Sequence, residues 1–521
     1  MHQGQIVAIA EERLSRKKYA DGYMGALFYC LNALDITVDQ VDLFVSSSYH
    51  KPLPPQFMGD LKALGLPPER FVSCDHHWSH ACSTYFLSPF EKALVIVIDG
   101  LGNNSDTESY YVAEGNTITK IGGNDAARSI YKGVGRAYES FTNYAGWSAQ
   151  EAGKTMGLAP MGHEVAPDKE LFIINEKNQI QSMLEGKYYH GAVDFARESS
   201  LDFGKPFSGV ENANAAWFVQ DRVEKVIIEL VRRLHAETGI TKLCLAGGVF
   251  LNGITNQKIL DETPIEAIFV PPCADDTGQG LGNALYGYHQ LSGVTERITL
   301  NDGYAGREYS EEEILDVITR EQRVYSLPYE VKSASYNYER CDDIVERAAK
   351  LLADGQIIGW FQGGSEIGPR ALGHRSILSA PFPAIMKDRL NAEIKHRELF
   401  RPFAPVVIEE KLSEYFATDT PSPFMLRVAM AQPDKVDKIP AALHVDNSGR
   451  VQTVTLQTNG NFYRLVKRFG ELTGVPVILN TSFNDNGEPI VETPRDALVM
   501  FCKTPLKYVV IGDYILWKNE E

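Results

Sequence analysis

The chain has no paired-cysteine motif. Its seven cysteines lie scattered at positions 30, 74, 82, 244, 273, 341 and 502, with no CxxC among them. With the odd count and no visible secretion signal, this reads as reduced thiols in a cytoplasm. Long apolar runs are also missing. The longest, such as Ala93–Ile98, have the length of a strand and fall far short of a bilayer span. No leader or lipidation signal is visible at Met1, and there is no internal repeat or low-complexity tract. Basic charge is in short supply: 51 Lys and Arg face 68 Asp and Glu, a net charge of -17. That balance argues against a protein that grips nucleic acid through a basic face, so the expected partners are small molecules, with no nucleic acid and no membrane.

What is present is ordinary globular composition, 44% apolar and 23% charged over 521 residues, which is long enough for two or three domains. Strand and helix patterns alternate and imply an α/β architecture. Gln5–Ala10 predicts a strand, Glu11–Lys18 a charged helix, Val41–Ser46 a second strand and Lys51–Gln56 a Pro-rich loop. Ala93–Asp99 reads as a buried strand, Glu108–Ala113 as its hairpin partner, Val219–His235 as a helix, and Leu243–Ala246 and Ala267–Val270 as further strands. The pattern weakens around 321–340, the expected domain junction. Beyond it come helix Cys341–Ala353 with Gly355 at its C-terminal cap, strands Ile357–Phe361 and Val475–Leu479, helix Arg495–Phe501, and a hairpin turning at Gly512-Asp513.

Three patterns carry chemistry. In DHHWSHACSTYF, Trp78, Ala81, Cys82, Tyr85 and Phe86 recur at helical spacing, and His76 and His80 fall together on the other side. Imidazoles at i and i+4 can share one metal ion, although a lone HxxxH is more often a solvated pair. Asp99 ends a buried strand and Asp276 lies in the Gly-rich loop PPCADDTGQGLG. Two histidines with two carboxylates suit a first-row divalent metal such as iron, zinc or manganese. Second, Asp99-Gly100-Leu101-Gly102 and Ala246-Gly247-Gly248-Val249 each follow a strand, where glycines let amides approach phosphate; a lone Gly-Gly is more often only a tight turn. With Asn252 in LNGITNQKI they are similar to the loops of actin-like ATPases, by analogy alone. Third, EIGPRALGHRSIL and IKHRELFRPFAP gather Arg370, Arg375, Lys395, Arg397 and Arg401 in an acidic chain. Such a set fits a nucleotide triphosphate plus another phosphate ester, or else ordinary surface ion pairs. Farther on, His444, Asp446 and Arg450 in LHVDNSGRVQTV, and Asn480, Ser482 and Asn484 in VILNTSFNDNGEPI, are either nucleotide contacts or turn formers.

Taken in order, EERLSRKK, HHWSH, DGLG, EAGKTMGLAPMG (Glu151–Gly162), AGGVFLN, DDTG, GPRALGHRSIL, KHRELFRPFAP, HVDNSGRVQTV and LNTSFNDNGEPIV resemble the NodU/CmcH carbamoyltransferase family. That family includes nodulation-factor, cephamycin, tobramycin and ansamycin O-carbamoyltransferases. The resemblance implies an N-terminal actin-like (ribonuclease H-like) domain over 1–325 and a YrdC-like, carbamoyladenylate-forming α/β domain over 336–521. It implies that His76, His80, Asp99 and Asp276 hold the metal, iron in the best-known relative. It also implies that Arg370, Lys395 and Arg450 act in catalysis. Gly100, Gly102, Lys154, Gly247, Gly248, Asn252, Arg375, Arg397, Arg401, His444, Asn480, Ser482 and Asn484 would contact ATP, with its magnesium, or carbamoyl phosphate. The implied activity is ATP-dependent transfer of carbamoyl to a hydroxyl of a natural product or sugar, as in antibiotic and other secondary-metabolite biosynthesis; a homodimer is allowed. Alternatives are a transferase acting in tRNA modification or protein maturation, or an impaired nucleotide-binding regulator. Family members begin with one more strand and a His-Asp-Ser-type turn before the segment matching Gly4–Ala10, and His2 does not replace that histidine. The expectation is therefore a start upstream or a shortened form with an exposed sheet edge.

Overall fold

The computed structural model describes residues 1–47, 59, 60, 62–124, 132–185, 189–321 and 336–518. The expected loop Lys51–Gln56 lies outside them. The chain divides into two compact units, Met1–Ile6 with Leu34–Leu300 and Val7–Ala33 with Asn301–Glu521. The sequence pattern had pointed to a junction at 321–340. Of that stretch, residues 322–335 lie outside the described set, and Tyr336–Arg340 is an edge strand of the second unit's sheet.

Among the described residues, the largest sheet of the first unit has five strands: β1 (Lys92–Ile98), β2 (Glu108–Glu114), β3 (Thr117–Gly123), β4 (Lys242–Ala246) and β5 (Ala267–Phe269). Their order is β3-β2-β1-β4-β5. β2 runs antiparallel to both its neighbours, and β1, β4 and β5 run parallel. This is the ribonuclease H-like arrangement of the expected actin-like unit. The apolar run in β1 is continuous because Ala93 through Ile98 are all fully buried, as a central strand covered on both faces requires. The helix His76–Tyr85 packs on β1 and β4, and the helix Gln279–Leu285 packs on that helix.

The second unit holds an eight-stranded mixed sheet. Its strands are β6 (Tyr336–Arg340), β7 (Ile358–Phe361), β8 (Arg375–Ser379), β9 (Ala404–Ile408), β10 (Gln452–Val454), β11 (Val477–Ser482), β12 (Tyr508–Ile511) and β13 (Tyr514–Lys518). The order is β6-β13-β12-β7-β8-β11-β9-β10. Neighbouring residues divide between its two faces. Ile377, Val407, Leu479 and Val509 enter one core and Leu378, Val406, Ile478 and Val510 the other, the period-two alternation of a strand buried on both sides.

One expected element is absent: 5–10 forms no strand. Ala8 donates a single backbone hydrogen bond to Ala305, and one bond is not a ladder. The following helix is also shorter than the charged run suggested, Glu11–Ser15, because Arg16 adopts a left-handed conformation at φ 59°.

Candidate functional site

The histidine helix begins where Asp75 Oδ1 accepts the amides of His77 and Trp78 at 3.1 and 3.2 Å, an N-cap that fixes where the turns start. Asn103 Oδ1 takes the amide of His76 at 2.7 Å. The predicted solvated alternative does not hold, since His76 is 3% exposed and His80 0%. Both faces of this helix are buried, so the two imidazoles point into the protein. His76 Nε2 lies 3.1 Å from Asp99 Oδ2 and 3.2 Å from Asp276 Oδ1, and His80 Nε2 lies 3.5 and 3.3 Å from the same two oxygens. One ligand atom from each of the four residues falls within 4.8 Å of every other.

Charge balance shows what this group is suited to. Burial opposes ionisation of Asp99, but the contacts with His76 and His80 outweigh it and hold the carboxyl well below its usual range. Burial likewise opposes protonation of His80, and the nearby carboxylates of Asp276 and Asp99 outweigh it, pushing the imidazole up to about 9. Two carboxylates facing two imidazoles call for a cation, whether protons or a metal ion. Neither nitrogen of His80 has a well-formed hydrogen bond although the ring is fully buried. Such an orphaned donor set fits a metal with two nitrogen and two oxygen ligands. Asp276 is the one exposed member, so the group is open on its side. His77 faces elsewhere, with Nδ1 2.8 Å from Ser109 Oγ, and burial lowers it to about 3, which keeps it neutral.

The glycine loops serve this group directly. Gly248 N donates to Asp99 Oδ1 at 3.0 Å, and Gly247 sits at φ +96° where a Cβ would run into the Ile98 carbonyl. A Cβ on Gly102 would lie 2.7 Å from the His77 ring, and Gly100 packs beside Arg136 and Glu139. Asn252 caps the helix Gly253–Glu262 through Thr255 N at 3.2 Å and donates to Gln220 at 2.8 Å. Lys154 pairs with Glu151 at 2.8 Å and lies over the Trp147 ring. These contacts give the loop residues packing and capping roles.

In the second unit, topology gathers the cations. β8 and β9 both run antiparallel to β11, and β10 runs parallel to β9. The starts of β8, β9 and β10 therefore share one end of the sheet with the close of β11, bringing together Arg370, Arg401, Arg450 and Ser482. Lys395, only 3% exposed, donates to Ser482 O at 2.8 Å, Asn484 O at 2.5 Å and Asn484 Oδ1 at 2.8 Å. Burial first, then the charges of Arg397 and Arg401, lowers Lys395 well below the usual lysine range. Burial first, then Arg370, Arg397 and Arg401, does the same to Arg450. Cations that destabilise one another in a low-dielectric setting create a positive potential that an anion beside them would offset. The His444 side chain, 7% exposed, accepts the Val445 amide at 2.8 Å on Nδ1.

Two of the predicted contacts point inward instead. Arg375 is 0% exposed and donates to the carbonyls of Glu492, Gln362 and Gly363 at 3.1, 2.6 and 3.0 Å. It stacks on Phe361 and clamps these backbone carbonyls. Asn480, 1% exposed, donates to Ala371 O at 3.1 Å and Gln452 Oε1 at 2.9 Å, tying down the loop that presents Arg370. The same loop is shaped by a residue the motifs concealed. Glu366 Oε1 accepts the amides of Leu372, His374 and Arg375 at 2.8, 2.8 and 2.9 Å. An acid opening a Gly-Pro-rich turn was its only sequence signal. Gln279, beside His76 at 3.5 Å, was also missed, and nothing in the motif marked it.

Two family profiles match this chain, Carbamoyltransferase N-terminus over residues 49–285 and Carbamoyltransferase C-terminus over residues 349–518. Nodulation protein NolNO of Sinorhizobium fredii is 34% identical over 100% of this chain and 78% of its own length. An uncharacterized protein of Synechocystis is 33% identical over 99% of this chain and 94% of its own. The 3'-hydroxymethylcephem-O-carbamoyltransferase of Amycolatopsis lactamdurans is 30% identical over 85% and 80%.

Proposed function

The chain belongs to the carbamoyltransferase family and is a transferase enzyme, and from that premise we propose an ATP-dependent O-carbamoyltransferase acting on a hydroxyl of a small molecule. The supporting observation is the buried Lys395 seated on the Ser482–Asn484 turn amid Arg370, Arg397, Arg401 and Arg450. Two polyanionic reagents repel each other, and such a cradle offsets the repulsion.

In the proposed first stage, water cleaves carbamoyl phosphate to carbamate and inorganic phosphate. A carbamate oxygen then attacks the α-phosphorus of ATP, with its magnesium, and the bond to the β-phosphate oxygen breaks, giving carbamoyladenylate and pyrophosphate. Arg450 holds the anionic oxygens, Lys395, Arg370, Arg397 and Arg401 add positive potential, His444 supplies a hydrogen bond, and Ser482 and Asn484 seat Lys395. In the second stage an acceptor hydroxyl attacks the carbamoyl carbon and loses its proton as AMP leaves. His76, His80, Asp99 and Asp276 would hold a divalent metal, iron by preference with zinc or manganese as alternatives. When bound, such a metal supplies Lewis acidity at the carbonyl or the hydroxyl. Asp99 is kept in place for this by the Gly248 amide.

The test is incubation with ATP, carbamoyl phosphate and a panel of hydroxyl-bearing metabolites, followed by mass spectrometry. The proposal expects one hydroxyl hydrogen replaced by carbamoyl, with AMP and pyrophosphate formed in equal amounts. Carbamoylation without AMP formation would contradict it.

A further inference from the structure

Residues Val7–Ala33 precede most of the first unit in sequence yet group with the second unit, and several of their contacts fall on the two loops that carry the cradle. Arg13, 2% exposed, donates from NH2 to Gly368 O at 2.9 Å, two residues before Arg370. Its NH1 lies 3.9 Å from Glu366 Oε2, the free oxygen of the carboxylate whose other oxygen gathers three loop amides. Arg16 donates to Ile490 O at 2.7 Å and Pro489 O at 2.9 Å, in the loop that leads away from Asn484, the seat of Lys395. Tyr29 closes the same loop by donating to Glu492 Oε1 at 2.6 Å.

We infer that Arg13 and Arg16 are positioning residues for the anion cradle, fixing the Arg370 loop and the Lys395 seat to one short segment and hence to each other. The inference rests on the reading of that cradle as the place where carbamoyl phosphate meets ATP. The chemistry favours arginine at both places. A guanidinium fork reaches two acceptors at once, as Arg16 does with consecutive carbonyls, and lysine offers one point charge. At Arg13 the fork also offsets a buried carboxylate that would otherwise repel the anionic substrates. Lys18, on the same segment, adds its charge to those acting on Lys395. An arginine pair that merely stapled the chain would affect stability and leave substrate affinity alone.

The experiment uses the full chain and follows carbamoyl-phosphate-dependent exchange of labelled pyrophosphate into ATP, with melting temperature measured alongside. Arg16 is partly exposed, with 29% of its side chain accessible, so Arg16→Ala tests the idea with little risk to folding. A small displacement of reacting groups lowers kcat/KM by about 10- to 100-fold, and the inference places that loss mainly in a raised KM for carbamoyl phosphate, with Arg16→Lys recovering part of it. Arg13→Met should show the same raised KM. Adding Glu366→Gln should recover a portion, because the amide oxygen still accepts the loop amides and no buried charge is left unpaired. Wild-type kinetics in Arg16→Ala and Arg13→Met, or lowered melting temperature with unchanged KM, would overturn the inference while leaving the cradle's function standing. A wild-type chain without exchange would sink the activation-site reading, and this inference with it.

Discussion

His80 is the residue on which the first unit's chemistry turns. Its ring is fully buried with both nitrogens lacking well-formed hydrogen bonds, 3.3 and 3.5 Å from two carboxylates. His80→Ala should abolish stoichiometric metal binding, read by elemental analysis, and abolish acceptor carbamoylation. Pyrophosphate exchange should persist, because its residues belong to the other unit. Retained metal at wild-type stoichiometry would show that the four residues are not the ligand set. This site was legible in the sequence because helical spacing brings i and i+4 side chains to one face and because strand ends present their residues outward. The arginines were less legible. Arg370 and Arg375 lie in one motif, yet only the fold decides that the first joins the cradle while the second turns into the core to hold backbone carbonyls. Sequence marks the charge and leaves its direction open.

At the scale of elements, loops do the positioning and strands supply their anchors. Gly247 combines φ +96° with close approach to the Ile98 carbonyl, next to the amide that holds Asp99. A Cβ there brings both backbone strain and a clash. Gly247→Ala should destabilise the first unit by about 1–3 kcal/mol or more and weaken metal retention, measured by denaturant unfolding and metal content. Glu366 organises the corresponding loop of the second unit. Burial raises its pKa, but Arg13, His374 and Arg375 lower it further, leaving it below its ordinary 4.5. A folded-state value below the unfolded one means the stabilisation is complete above about 4.5 and is lost as pH falls through the lowered folded value. Melting temperature measured from neutral pH into acid should therefore fall in that window, and Glu366→Gln should flatten the fall; an identical profile in the variant would contradict this role. The strands themselves could be read from apolar runs and turn residues, as in β1 and in the β12–β13 hairpin at Gly512. The expected strand over Gln5–Ala10 could not. Its local pattern suits a strand, but a strand also needs a neighbour along its length, and the one bond from Ala8 to Ala305 does not extend into a ladder.

For the whole molecule, the change of pattern at 321–340 falls within the second unit, whose larger segment begins at Asn301, and the membership of Val7–Ala33 was not visible in the sequence either. The contact of Arg13 with Gly368 spans 355 residues of sequence, and local periodicity carries no information over such a separation. The first unit holds a His/Asp group able to hold a metal and the second a cluster of cations, the two capacities that the proposed activation and transfer of carbamoyl require. The most direct test of that account is exchange of labelled pyrophosphate into ATP by the purified chain, with and without carbamoyl phosphate and with no acceptor present. The account predicts exchange that requires carbamoyl phosphate and drops by about 100-fold or more in Lys395→Ala, as loss of a buried charged contact implies. Exchange indifferent to carbamoyl phosphate, or undiminished without Lys395, would contradict it.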